Sequence, residues 1–80
     1  MTTIIDLGTL FSVQAKLADL EEYIARIVQE AGEGHNIVLT GSAPIWLYLA
    51  ATHALHGRAR SLTYRSPVTG DVKIFDHDPF

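Results

Sequence analysis

The 80 residues include no cysteine, which excludes disulfides and thiolate metal sites. Charge is also scarce: 19% of the residues are Asp, Glu, Lys or Arg, and the net charge is −3. A general nucleic-acid binder carries a basic surplus, so a long polyanionic partner is not expected. The longest apolar stretch, Ala43 to Leu55, is broken by Pro44, Thr52 and His53 and is too short to span a bilayer. The opening residues MTTIIDLGTL lack a basic segment followed by a long apolar run. No secretory signal is read there, and a cytoplasmic protein without a membrane partner is expected. There is no internal repeat, linker or low-complexity segment, so residues 1–80 read as one domain.

What the chain has in quantity is apolar surface, at 48% of its residues. A chain this short buries only about 60% of the surface it exposes when unfolded. Without cysteine, the remaining way to stabilise it is association, so a homodimer or larger assembly is expected. The few charges are unevenly spread. Asp19, Glu21, Glu22, Glu30 and Glu33 load the first half, whereas Arg58, Arg60, Arg65 and Lys73 gather near the end. A local basic patch on an acidic chain suits a small anionic ligand.

The periodicities predict an α/β fold in the order β-α-β-α-β-β. Residues 2–7, TTIIDL, carry β-branched residues and end at Gly8, the pattern of a short strand. Leu10, Val13, Leu17, Leu20, Ile24 and Ile27 then recur at spacings of three and four. This predicts one helix of about five turns lying on a sheet, stopped by Gly32 and Gly34. Residues 36–40, NIVLT, read as a buried strand parallel to the first. Ile45 to His56 is apolar nearly all round and predicts a helix covered on more than one side, with Pro44 in its first turn, Ser42 or Ala43 as its cap and Gly57 after it. Residues 61–76 alternate around PVTG, which predicts a C-terminal hairpin.

Three groups of residues could carry chemistry. Gly41-Ser42-Ala43-Pro44 leaves a strand and opens a helix, where free N–H groups and the helix dipole attract anions. The bland alternative is a β-α turn with a good cap. His53 and His56 are three apart on one helical face, a spacing that can present two imidazoles to one ligand. The alternative is one core histidine and one helix-end histidine, and zinc would need further ligands. Arg58, Arg60 and Arg65 with Tyr64 combine phosphate pairing with a ring able to stack on a base, or are solvated strand residues. At the C-terminus, Asp76, His77 and Asp78 could bind a metal or orient an imidazole, against the default of a frayed tail.

The run Gly41-Ser42-Ala43-Pro44-Ile45-Trp46-Leu47-Tyr48, the pair His53-x-x-His56 and the strand Leu62-Thr63-Tyr64 together resemble small CRISPR-associated proteins related to ring nucleases and CARF domains. The likeness covers about the last forty residues. It implies a small Rossmann-like sheet, a homodimer or higher assembly, and binding of cyclic oligoadenylate sandwiched between copies. Gly41, Ser42, Ala43, Arg58, Arg60, Tyr64 and Arg65 would contact the ligand, and His53 and His56 would be catalytic residues if the ring is cut. No resident cofactor is expected, although the best-known cutting relatives use manganese. Those relatives carry an Asp-Pro-Arg-like element after the strand tyrosine, whereas this chain reads Tyr64-Arg65-Ser66-Pro67. Arg65 in place of the acid predicts binding with slow cleavage or none.

Overall fold

The structure, a computed structural model, describes residues 1–77. Four strands form one sheet in the order β1-β2-β3-β4: β1 (Thr2–Asp6), β2 (Asn36–Thr40), β3 (Ser61–Ser66) and β4 (Gly70–Asp76). The first three are parallel, with Ile5 beside Leu39 and Leu39 beside Tyr64. The last two form an antiparallel hairpin with an irregularity at Leu62/Thr63. Helices α1 (Leu20–Ala31) and α2 (Ile45–Leu55) occupy the two crossovers. The architecture is mixed α/β in the order the sequence predicts.

The sheet order has a consequence for its faces. Strands β1, β2 and β3 are added in one direction, and crossovers of this type are right-handed, so both helices lie on the same face and touch each other. The strand order contains no reversal, unlike a doubly wound sheet covered on both sides. Alternation along the strands turns Ile5, Ile37, Leu39 and Leu62 toward the helices, and all four are buried. Tyr23, Ile27 and Ala31 of α1 and Leu47, Ala51 and Leu55 of α2 complete the core. The row Ile4, Val38 and Thr63 faces the other way, and Ile4 stays half exposed.

The long first helix is half the expected length. Residues 7–10 form a 3-10 turn, Phe11 is extended, and a second 3-10 turn at 17–19 leads directly into α1, which starts only at Leu20. Val13 and Leu17, which continue the apolar stripe, are exposed. A helix from residue 10 to 31 would be about 33 Å long, roughly twice the ~17 Å reach of a five-residue strand. Twelve residues match the sheet, and the remaining apolar positions have nothing to cover. Leu10 instead folds into the core, Phe11 packs on Tyr23 with ring centroids 6.4 Å apart, and the Lys16 N–H donates to the Tyr23 hydroxyl. The predicted stop is observed: Gly32 has φ 65° and its N–H closes on the Val28 carbonyl at 3.2 Å.

Candidate functional site

The carboxyl ends of β2 and β3 open into a cleft of about 540 Å³ lined by residues that include Gly41, Ser42, Ala43, Tyr48, Tyr64 and Arg65. Five residues expected to bind ligand therefore converge. The cap expected from Ser42 or Ala43 does not form: Pro44 is the N-cap of α2 and no side chain caps the helix. The Leu47 and Tyr48 N–H groups both point at the Pro44 carbonyl. That leaves the Ile45 and Trp46 N–H groups at the start of α2 without a side-chain cap, the condition under which a helix N-terminus attracts an anion.

Two residues outside the expected ligand contacts shape the turn. Tyr48 donates from its hydroxyl to the Gly41 carbonyl at 2.5 Å, which fixes the Gly41–Ser42 peptide because the carbonyl and the N–H of a trans peptide point in opposite directions. Asp6, at the end of β1, accepts the Gly8 N–H at 2.9 Å and fills the space above Gly41, so that a Cβ there would collide with its Oδ1. The glycine thus accommodates the Asp6 carboxylate and a φ of 105°, whereas the sequence suggests that it opens the backbone to a ligand. The Asp-x-Gly at the strand end is the available signal for Asp6, since a short acid readily bonds the N–H two residues on.

Burial, and then the neighbouring Tyr64 and Asp6, push the Tyr48 hydroxyl up to about 12. Its protonated form is favoured by the fold, so this contribution to stability is complete below pH 10 and is lost as pH rises through about 12. Tyr48→Phe should lower stability by about 1 kcal/mol at neutral pH and remove that part of the alkaline loss. Denaturant titrations of both proteins at neutral and alkaline pH measure the two effects.

Arg65 is not a free cation. Its Nε and Nη2 meet Asp71 of β4 at 2.9 and 3.2 Å, and the hydrogen bond from Arg65 holds the Asp71 carboxyl below the usual carboxylate range. The pair is exposed, so it contributes little to stability but competes with any phosphate for the guanidinium. If the cleft takes a phosphate-bearing ligand, Asp71→Asn should strengthen its binding at low salt and steepen the salt dependence by roughly 0.7 in log–log slope, the value for one additional single-strand phosphate contact. Arg65→Ala should do the reverse. Ligand titrations between low and high salt check both.

The other four expected residues lie elsewhere. His53 and His56 are exposed at the end of α2, about 12 and 16 Å along the helix from its start, and Arg58 and Arg60 follow at the amino end of β3. Arg58 pairs with Glu33 at 3.3 Å, and the Arg60 N–H donates to the His35 carbonyl. Thus one chain has two poles, the cleft at one and the histidines at the other. The tail is anchored through His77. Its N–H donates to the Arg60 carbonyl at 2.8 Å, its Nε2 lies 3.1 Å from the His56 carbonyl, and its ring meets the His56 ring edge-on at 4.8 Å. Asp76 is bridged by Lys73, and Asp78 lies outside the described residues. Among the described residues no group of three His, Asp or Glu side chains is arranged to hold a metal ion, and no helix is long and apolar enough to cross a membrane.

No curated protein and no solved structure is significantly similar to the chain. Residues 14–79, well over half of the sequence, match the family described as CRISPR-associated protein (Cas_csx3). That span holds α1, α2, the cleft turn, the histidine pole and the hairpin. The chain belongs to the CRISPR-associated protein (Cas_csx3) family.

Proposed function

We propose that the protein binds a cyclic oligoadenylate, cyclic tetra-adenylate being the first choice, and sequesters this type III CRISPR messenger with slow cleavage or none. The observation that carries the reading is the convergence of the Gly41-Ser42-Ala43 turn, the uncapped start of α2, Tyr64 and Arg65 on one cleft in a member of a CRISPR-associated family. The turn and Arg65 supply partners for a phosphodiester, and Tyr64 supplies a ring for adenine. Cleavage is disfavoured on two grounds. Arg65 stands where cutting relatives carry an acid, and the cleft is a helix length from His53 and His56.

A homodimer is part of the proposal. Beside the cleft, α2 and β4 enclose an apolar groove of about 320 Å³ whose lining includes Ile45, Leu49 and Ile74. Ile45 and Leu49 are 77% and 66% exposed, and Val72 and Ile74 nearly half exposed. Apolar surface gathered in this way marks a protein contact. Ile45, Tyr48 and Tyr64 line both the groove and the cleft, so a two-fold axis near the groove would set two clefts side by side, as a symmetric ring requires. The rival reading is a ring nuclease in which a further copy brings His53 and His56 to the ring held in the cleft, for in-line attack by a ribose 2′-hydroxyl. The edge-on contact of His56 with Phe75 and His77, which orients its imidazole, favours that rival. A third possibility is an interaction module without a nucleotide ligand.

Excess protein incubated with radiolabelled cyclic tetra-adenylate separates the three. An intact, retained ring is expected. Linear products that disappear in His56→Ala, with the 10²–10⁴-fold loss typical of a removed general acid or base, would instead establish the nuclease. A ring neither retained nor cut would refute both nucleotide readings.

A further inference from the structure

We propose that Asp6 is a charge filter for the cleft, favouring phosphodiesters over phosphomonoesters. This rests on the ligand reading above and specifies which phosphate chemistry the site accepts. Asp6 pairs with Thr40 across β1 and β2, and its Oδ1 both accepts the Gly8 N–H and lies against Gly41. A carboxylate is thus built into the β1 side of the turn that would receive a phosphate. Among the described residues it has no Lys or Arg partner. Asp6 does not itself line the cleft, but it lies against Gly41, which does, and its charge adds to the burial and the Tyr64 neighbour that raise Tyr48.

An uncapped helix start alone would favour the more highly charged anion. Such a site would fill with mononucleotides, whose terminal phosphates carry most of a second charge at neutral pH. A ring of phosphodiesters carries one charge per phosphate and has no terminus. The Asp6 carboxylate opposes either anion, but the dianion about twice as strongly. At a separation of about 6 Å in a nearly aqueous dielectric, the second charge costs roughly a three- to fivefold loss of affinity. Placing an unpaired charge against the wrong ligand is a general route to specificity. It also explains why a residue that could have been a neutral Asn, with the same acceptor for Gly8, is an acid.

The test uses three probes: cyclic tetra-adenylate, linear tetra-adenylate with a 5′-hydroxyl, and linear tetra-adenylate with a 5′-phosphate. Each is titrated into wild type and Asp6→Asn, a variant that keeps the Oδ1 acceptor. Wild type should bind the phosphorylated linear probe no more tightly than the hydroxyl one. In Asp6→Asn the phosphorylated probe should gain about three- to fivefold relative to the hydroxyl probe. An unchanged ratio would overturn the filter while leaving ring binding in place. If Asp6→Asn does not fold, wild type decides alone: added salt should relieve the penalty on the terminal phosphate, and a terminal phosphate that strengthens binding at low salt overturns the proposal. Wild type that binds none of the probes would refute the ligand reading, and the filter with it.

Discussion

Gly41→Ala should be the most damaging single-methyl change in the protein, costing about 3 kcal/mol or more. Two independent terms add. At φ 105° an L side chain is strained by about 1–3 kcal/mol. The new Cβ would also collide with Asp6 Oδ1 and come within 2.9 Å of the Gly8 nitrogen, an overpacking that typically costs another 1–3 kcal/mol. A domain of this size has only about 4–12 kcal/mol in total. The other glycines serve as controls. Gly34 has φ 75° with nothing within 4 Å, so its Ala variant should lose only about 1 kcal/mol, and Gly57→Ala should be close to neutral. Pairing Gly41→Ala with Asp6→Ala should recover part of the loss, since the two side chains share one space. Denaturant midpoints for the series decide the matter; a Gly41→Ala protein as stable as Gly57→Ala would contradict the arrangement of Asp6 over the turn. Gly41→Asp would carry the same costs, so a loss of ligand binding in that variant would report unfolding.

Leu49→Glu should convert the proposed dimer into a monomer, raising its dissociation constant by 10²-fold or more. Leu49 is exposed and lines the apolar groove together with Ile45 and Ile74, and a truncation at the centre of an interface commonly costs 2 kcal/mol or more. A glutamate there also has to be desolvated without a partner, which costs several kcal/mol. The monomer itself should be unharmed because the Leu49 side chain is exposed. Light scattering at micromolar concentration reads both proteins. A wild type that is monomeric with and without ligand would show that the groove is not a self-contact. Loss of ring binding together with dimerisation in Leu49→Glu would tie the site to the paired clefts.

The elements that the sequence revealed best are those in which a local pattern and the tertiary requirement agree. The middle of NIVLT, Ile37 to Leu39, is apolar and buried in a central strand with neighbours on both sides; its observed bounds are those predicted. The hairpin follows its turn residues. Helix α1 shows the opposite case, where Val13 and Leu17 keep the helical spacing but the sheet has no surface left for them. Periodicity reports which residues could share a face, and says nothing of how long the partner surface is. In the site, the turn, Tyr64 and Arg65 were legible because each residue type suits phosphate or base chemistry. Asp6 and Asp71 were not, since they lie 35 residues before Gly41 and six after Arg65, and only strand pairing brings them there. The separation of His53 and His56 from the cleft was implicit in the sequence, because α2 begins at one and ends at the other.

Calorimetric titration of the intact protein with cyclic tetra-adenylate tests the proposed function most directly, since it reports affinity and stoichiometry together. Saturable binding of one ring by two or more chains is expected, with affinity that falls as salt rises because phosphates are being neutralised. Saturation at one ring per single chain would contradict the shared site, and the absence of any binding at low salt would contradict the ligand itself.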